Sequence, residues 1–167
     1  KKLISKNLID PKQIDMVIVA TATPDMQIAA TSAYVATKIG ATNAFGYDLQ
    51  AACSGFLYAM SMAVGKIESG RYKKILVIGA DKMSSLINYQ DRSTCIIFGD
   101  GAGAVLFEPN KEKLGWQDEF FKSDGGDRDS LKVKAGGSLF PASKTSVLNQ
   151  DHYLSMDGRK VFKSAVS

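Results

Sequence analysis

Apolar residues in this chain fall into short continuous runs separated by longer stretches with a helical period. Met16–Ala20 (MVIVA) and residues 74–80 (KILVIGA) are strand-length, rich in β-branched residues and apolar throughout, as for strands buried on both faces. Residues 44–49 (AFGYDL) form another strand candidate. Thr31–Ile39 predicts a helix, with Gly40 well suited to the position just past its C-terminus. Residues 56–69 predict a second helix, apolar on nearly every side as in a helix buried within a large fold, and Gly70 ends it. Residues 1–9 read as a helix end with Asn7 past it, Asp10-Pro11 as a turn or short helical start, and residues 21–27, with Pro24 and Asp25, as a loop. Residues 95–98 and 104–107 predict two further strands, joined by a tight turn at 99–103. Residues 111–150 give two or three short strands and loops, punctuated by Gly125-Gly126 and Gly136-Gly137, and helical periodicity resumes over 157–166.

Strand–helix–strand–helix–strand followed by a hairpin indicates an α/β layered fold, with right-handed crossovers at the helix-linked steps. The length of 167 residues, 45% hydrophobic and 23% charged, suits one globular domain or a large piece of one. Neither end looks natural: no initiator Met is present, and the helical pattern is still running at the last residue. We therefore expect a fragment, and no signal peptide at the first residues. The apolar runs are far short of a membrane span, so no membrane association is expected. A net charge of +4 is mild and scattered, without basic runs interleaved with aromatics, and argues against a nucleic-acid partner. Two cysteines and one histidine give neither a disulfide framework nor a zinc site, and a reducing, cytoplasmic setting follows.

The chemistry centres on Cys53. It lies between a predicted strand and a predicted helix, where the helix supplies backbone N–H groups and the positive end of its dipole. Both favour thiolate, and the same N–H groups suit an oxyanion. Ala51, Ala52, Ser54 and Gly55 leave space for a substrate. Position alone leaves two readings open, a nucleophile or a structural cysteine packed at a helix start. Cys95, inside a β-rich run, reads as structural. Gly99-Asp100-Gly101-Ala102-Gly103-Ala104 matches the G-x-G-x-x-A dinucleotide pattern, but that pattern requires a helix directly afterwards, and Val105-Leu106-Phe107 and Pro109 leave no room for one.

Three segments carry a resemblance. Residues 48–56 (DLQAACSGF) resemble the active-cysteine segment of the β-ketoacyl-acyl-carrier-protein synthase III family. Residues 91–104 (DRSTCIIFGDGAGA) resemble that family's second signature, and residues 156–163 (MDGRKVFK) are similar to a third segment near the middle of family chains. The resemblance covers essentially the whole chain and favours the nucleophile reading of Cys53. It implies a thiolase-like layered fold (αβαβα) of two similar halves, of which this chain is mostly the N-terminal half in a single incomplete domain. It also implies a homodimer. The implied activity joins an acyl group from acyl-CoA to malonyl-acyl carrier protein through an acyl-cysteine thioester, starting fatty acid synthesis. Coenzyme A enters as a thioester substrate, and no separate cofactor is implied.

Residue by residue, the resemblance makes Cys53 the acyl carrier and its backbone N–H part of an oxyanion hole. Arg92 matches an arginine near the adenine end of coenzyme A, and Phe98 an aromatic linked to decarboxylation. Met83, Leu131, Met156, Gly158 and Phe162 match positions lining the acyl pocket or pantetheine tunnel. Ile28 falls where the family often places a Phe that reaches the partner subunit's pocket, a departure bearing on acyl preference. The family's catalytic His and Asn have no match. His152, in Gln-Asp-His-Tyr-Leu, reads as a loop or surface residue, and Asp81, Asp100 and Asp124 have no spacing that replaces a base. The isolated 167 residues are therefore expected to be inactive alone. Another thiolase-fold acyltransferase, a specialised-metabolite condensing enzyme and a non-catalytic partner chain are the alternatives. Retention of Cys53 argues against the last.

Overall fold

A computed structural model describes residues 2–110, 112 and 115–166. It divides into two compact units, one of residues up to 81 with 101–120, the other of 82–100 with the residues from 121 onward.

The first unit is a four-stranded sheet with helices on both faces. The strands are β1 (Met16–Ala20), β2 (Phe45–Leu49), β3 (Ile75–Asp81) and β4 (Gly101–Phe107), in the order β2-β1-β3-β4. Central β1 pairs in parallel with β2, from Met16–Phe45 to Ala20–Leu49, and with β3, from Met16–Ile75 to Ala20–Gly79. β4 adds antiparallel to β3, Ile75 facing Phe107 and Asp81 facing Gly101.

Alternation along β1 explains its unbroken apolar sequence. Met16, Ile18 and Ala20 pack with Ile75, Val77, Ala59 and Ala63 under helix α3 (Gly55–Glu68). Val17 and Val19 point the other way, toward Leu76, Ala36 of α2 (Thr31–Ile39), and Leu3 and Ile4 of α1 (Lys2–Lys6). Both faces are covered, so neither can be polar. Burying each such Val, Ile or Met fully contributes roughly 1.5–3 kcal/mol. α2 ends where expected: Gly40 takes a left-handed φ of 81° and its N–H reaches Ala36 O and Thr37 O. α3 buries only Gly55, Ala59 and Ala63, and its Leu57 and Met62 stand 51% and 50% exposed. At the opposite edge from the strands' carboxyl ends, Asp15 Oδ2 accepts from Lys73 N (2.7 Å) and Lys74 N (2.9 Å), tying the starts of β1 and β3 together.

The second unit holds a two-stranded antiparallel pair, β5 (Leu131–Val133) and β6 (Leu154–Met156), with α4 (Lys144–Leu148) and α5 (Gly158–Val166). Three sequence expectations are corrected. Residues 95–98 are not a strand. They belong to a turn in which Asp91 O accepts from Thr94 N and Cys95 N, and Thr94 O from Ile97 N and Phe98 N. The Asp91 carboxylate also accepts from Ser93 N (2.9 Å), Ser93 Oγ (2.6 Å) and Thr94 Oγ1 (3.0 Å), which fixes the turn against the β propensity of Thr94-Cys95-Ile96-Ile97. The glycine run is not a hairpin turn either. Gly101 and Gly103 sit inside β4 at ordinary negative φ, and a strand, not a helix, follows the dinucleotide-like pattern. Within 111–150 the structure adds helix α4, built on a capping box in which Ser143 and Ser146 satisfy each other's backbone N–H.

Candidate active site

Because β1, β2 and β3 are parallel, their carboxyl ends share one edge of the sheet, the edge where open α/β sheets bind ligands. Cys53 stands there. β2 ends at Leu49, and the chain then turns sharply through Ala51 (φ −149°, ψ 34°) and Ala52, whose φ of 44° is left-handed. Cys53 is the middle residue of the single 3-10 turn Ala52–Ser54 that runs straight into α3. Ser54 N donates to Ala51 O at 3.2 Å, and the Gly55 N–H to Ala52 O. The thiol is free and exposed at the amino end of a 14-residue helix. Close packing holds that helix end in place. A Cβ on Gly55 would lie 3.4 Å from Ala20 Cβ and 3.6 Å from Leu49 Cδ2, and one on Gly79 would lie 3.0 Å from Phe56 Cδ2.

Two carboxylates that the sequence reading left without a role shape the same edge. Asp81, ending β3, accepts at Oδ1 from Ala22 N (2.7 Å), Thr21 Oγ1 (3.2 Å) and Thr23 Oγ1 (3.4 Å). Asp48, on β2, accepts from Thr31 N (2.7 Å) and Ser32 N (2.8 Å), the first N–H groups of α2. Thr21 N also donates to Leu49 O at 3.0 Å. The loop between β1 and α2 is thereby fastened at both ends, and Ile28 within it is 99% exposed. An acid at the last or next-to-last residue of an apolar strand is the signal that would have found both.

The remaining candidates lie in the second unit. Arg92 is exposed and Phe98 half-buried, near the start and at the end of the turn begun by Asp91. Hydrogen bonds from Ser93 and Thr94 hold the Asp91 carboxyl below its usual range. Met83 opens a short 3-10 turn (Met83–Ser85) held by Asp100, which accepts from Ser84 N (2.7 Å) and Ser84 Oγ (2.8 Å) and is likewise lowered by those bonds. Leu131 and Met156 are cross-strand partners, and a Cβ on Gly158 would lie 3.7 Å from Met156 Cε, so these three come together. Phe162, on α5, is 66% exposed. His152 is half-buried, its Nε2 2.8 Å from Ser146 Oγ at the start of α4.

The family model for 3-oxoacyl-[acyl-carrier-protein] synthase III matches residues 47–125. The chain is 53% identical over all of its 167 residues to β-ketoacyl-[acyl-carrier-protein] synthase III 2 of Bacteroides thetaiotaomicron, of which it covers 50%. Over its whole length the chain is similar to members of the β-ketoacyl-acyl-carrier-protein synthase III family. A crystal structure of a 3-oxoacyl-(acyl-carrier-protein) synthase III superposes with a TM-score of 0.91 at 29% identity, over 98% of this chain and 52% of that one. The priming β-ketosynthase of the R1128 polyketide biosynthetic pathway superposes with a TM-score of 0.80 at 32% identity, over 98% and 48%. The thiolase-like α/β fold expected from the synthase III resemblance is thus shown. The chain spans about half the length of the curated relatives it matches. Among the described residues no group of His, Cys, Asp and Glu could hold a metal ion, and no helix is long and apolar enough to cross a membrane.

Proposed function

We propose that the protein containing this chain transfers an acyl group from coenzyme A to Cys53 and then condenses it with malonyl-acyl carrier protein, initiating fatty acid synthesis. The observation that carries this reading is an exposed, free thiol at a strand-to-helix elbow, inside the AACSG segment of a chain similar to synthase III family members. In the first step the Cys53 thiolate attacks the thioester carbonyl, a new C–S bond forms, and coenzyme A leaves as its thiolate. The backbone N–H of Cys53, at the elbow that runs into α3, suits the transient oxyanion. In the second step the malonyl C–CO2 bond breaks, its electron pair stays on carbon, and that carbon attacks the acyl thioester. Cys53 leaves as thiolate. Covalent capture divides one difficult reaction into two easier ones.

The remaining assignments belong to this proposal. Arg92 contacts the adenine end of coenzyme A and Phe98 assists decarboxylation. Met83, Leu131, Met156, Gly158 and Phe162 line the acyl pocket or pantetheine tunnel, and Ile28 shapes the acyl site of a homodimer partner. Both compact units belong to one domain of a cytoplasmic enzyme, and the polarising His and Asn lie outside these residues. The likeness to a polyketide-priming ketosynthase supports a second reading, in which Cys53 is acylated identically but the product enters a specialised pathway.

Intact-mass spectrometry of the full-length protein with acetyl-CoA tests the first step. We expect one acetyl adduct in the wild type and none in Cys53→Ser. An adduct retained in that variant overturns the assignment. Offering malonyl-acyl carrier protein and other acceptors to the acylated enzyme separates the two readings.

A further inference from the structure

The loop between β1 and α2 carries Ile28, and its interior from Pro24 to Ala29 is exposed. Two carboxylates hold its two ends. Asp81 reaches in from β3 to residues 21–23, and Asp48 reaches in from β2 to residues 31 and 32. The two acids come from the strands on either side of β1, so the loop is gripped from both flanks of the strand that emits it. Asp48 is also only five residues ahead of Cys53 on the same strand-and-elbow segment. One carboxylate thus couples the nucleophile's segment to the far end of the loop.

We propose that Asp48 is a positioning residue: with Asp81 it clamps the 21–30 loop, fixes where Ile28 is presented, and so sets which acyl groups the homodimer partner's acyl site accepts. This rests on the reading of Cys53 and Ile28 given above. The geometry of the grip is specific. Thr31 N–H goes to Oδ2 and Ser32 N–H to Oδ1, so each carboxylate oxygen holds one donor. An amide cannot replace it, because one of its two heads is itself a donor and would face a backbone N–H.

Two variants of the full-length protein test the clamp. Asp48→Asn loses one bond and sets donor against donor. Thr31→Pro removes the N–H directed at Oδ2, at the first position of α2, where proline is tolerated, and is read against Thr31→Val, which loses only the hydroxyl that accepts from Asp25 N at 3.4 Å. Ala30 before it is already extended (φ −63°, ψ 125°), as a following proline requires. We expect amide hydrogen exchange over residues 21–32 to rise about tenfold in both variants, the loss of one charge-assisted bond. We also expect the ratio of acetyl-CoA to isobutyryl-CoA loading on Cys53 to change by at least about threefold, since small misplacements at a reacting centre are costly. Unchanged exchange in a folded variant overturns the clamp. Faster exchange with an unchanged loading ratio overturns its role in selectivity. Should Asp48→Asn fail to fold, Thr31→Pro decides alone. If the wild type takes no acyl group, the reading of Cys53 fails and takes the selectivity role with it, while exchange still decides the clamp.

Discussion

Single carboxylates do much of the organising in this chain. Asp15, Asp48, Asp81, Asp91 and Asp100 each accept backbone N–H groups from a neighbouring segment or turn. Bonds from the Ser93 hydroxyl, the Ser93 N–H and the Thr94 hydroxyl to Asp91, and from the Ser84 N–H and hydroxyl to Asp100, favour the ionised form and pull each carboxyl below its ordinary value. The sign of the linkage follows. A carboxyl lowered in the folded state contributes stability above its unfolded value, and that contribution is lost as pH falls through the lowered folded value. We expect carbon-13 titration of the Asp91 and Asp100 side chains to show midpoints below those of free aspartate. The amide shifts of residues 93–95 should move with the first and that of Ser84 with the second. Amide shifts indifferent to carboxyl protonation would remove the carboxylates as the cause of these turns.

At the level of elements, packing tolerances matter most where backbone meets backbone. A Cβ added to Gly46 on β2 would lie 2.6 Å from Val17 O and 3.0 Å from Ser32 Cβ, and the first of these is main chain that cannot rotate away. Gly46→Ala should therefore destabilise by about 1–3 kcal/mol, read as a lower denaturant midpoint. Gly65→Ala, with open space around its Cβ on α3, should not destabilise. The elements most legible in the sequence were those whose pattern and packing agree. β1 and β3 are β-branched because both of their faces are covered, and α2 stops at a glycine whose φ is positive. The elements that escaped are those decided by one hydrogen-bonding side chain. Thr94-Cys95-Ile96-Ile97 has strand propensity, yet Asp91 curls it. Gly101 and Gly103 have turn composition, yet the free edge of β3 draws them into the sheet. α4 has five residues and a Ser–Ser capping box in place of the commoner Ser–Glu, too little pattern to read from periodicity. The Cys53 elbow was readable because strand, small residues and helix are contiguous. The acids that hold the adjoining loop were not, because their partners lie 16 and 17 residues away for Asp48 and 58 to 60 for Asp81.

For the molecule as a whole, the outer side of α3 is the feature to explain. The helix is apolar nearly all round, but the sheet covers one side, leaving Leu57 and Met62 half exposed. The two similar halves that the family resemblance implies offer a second half to cover this side. We expect the 167 residues alone to bind a hydrophobic dye such as ANS and to lack a cooperative melt, and the full-length protein to do neither. Met62→Lys should reduce dye binding by the short chain and lower the melting temperature of the long one. A cooperative melt without dye binding from the 167 residues alone would refute this. The fastening of the 21–30 loop carries a practical corollary. A segment anchored at its termini by side chains from elsewhere, with its middle open to solvent, is a replaceable cassette. Residues 24–29 should be exchangeable between relatives, as long as both anchoring acids are retained, giving substrate repertoires that vary while the scaffold beneath them does not.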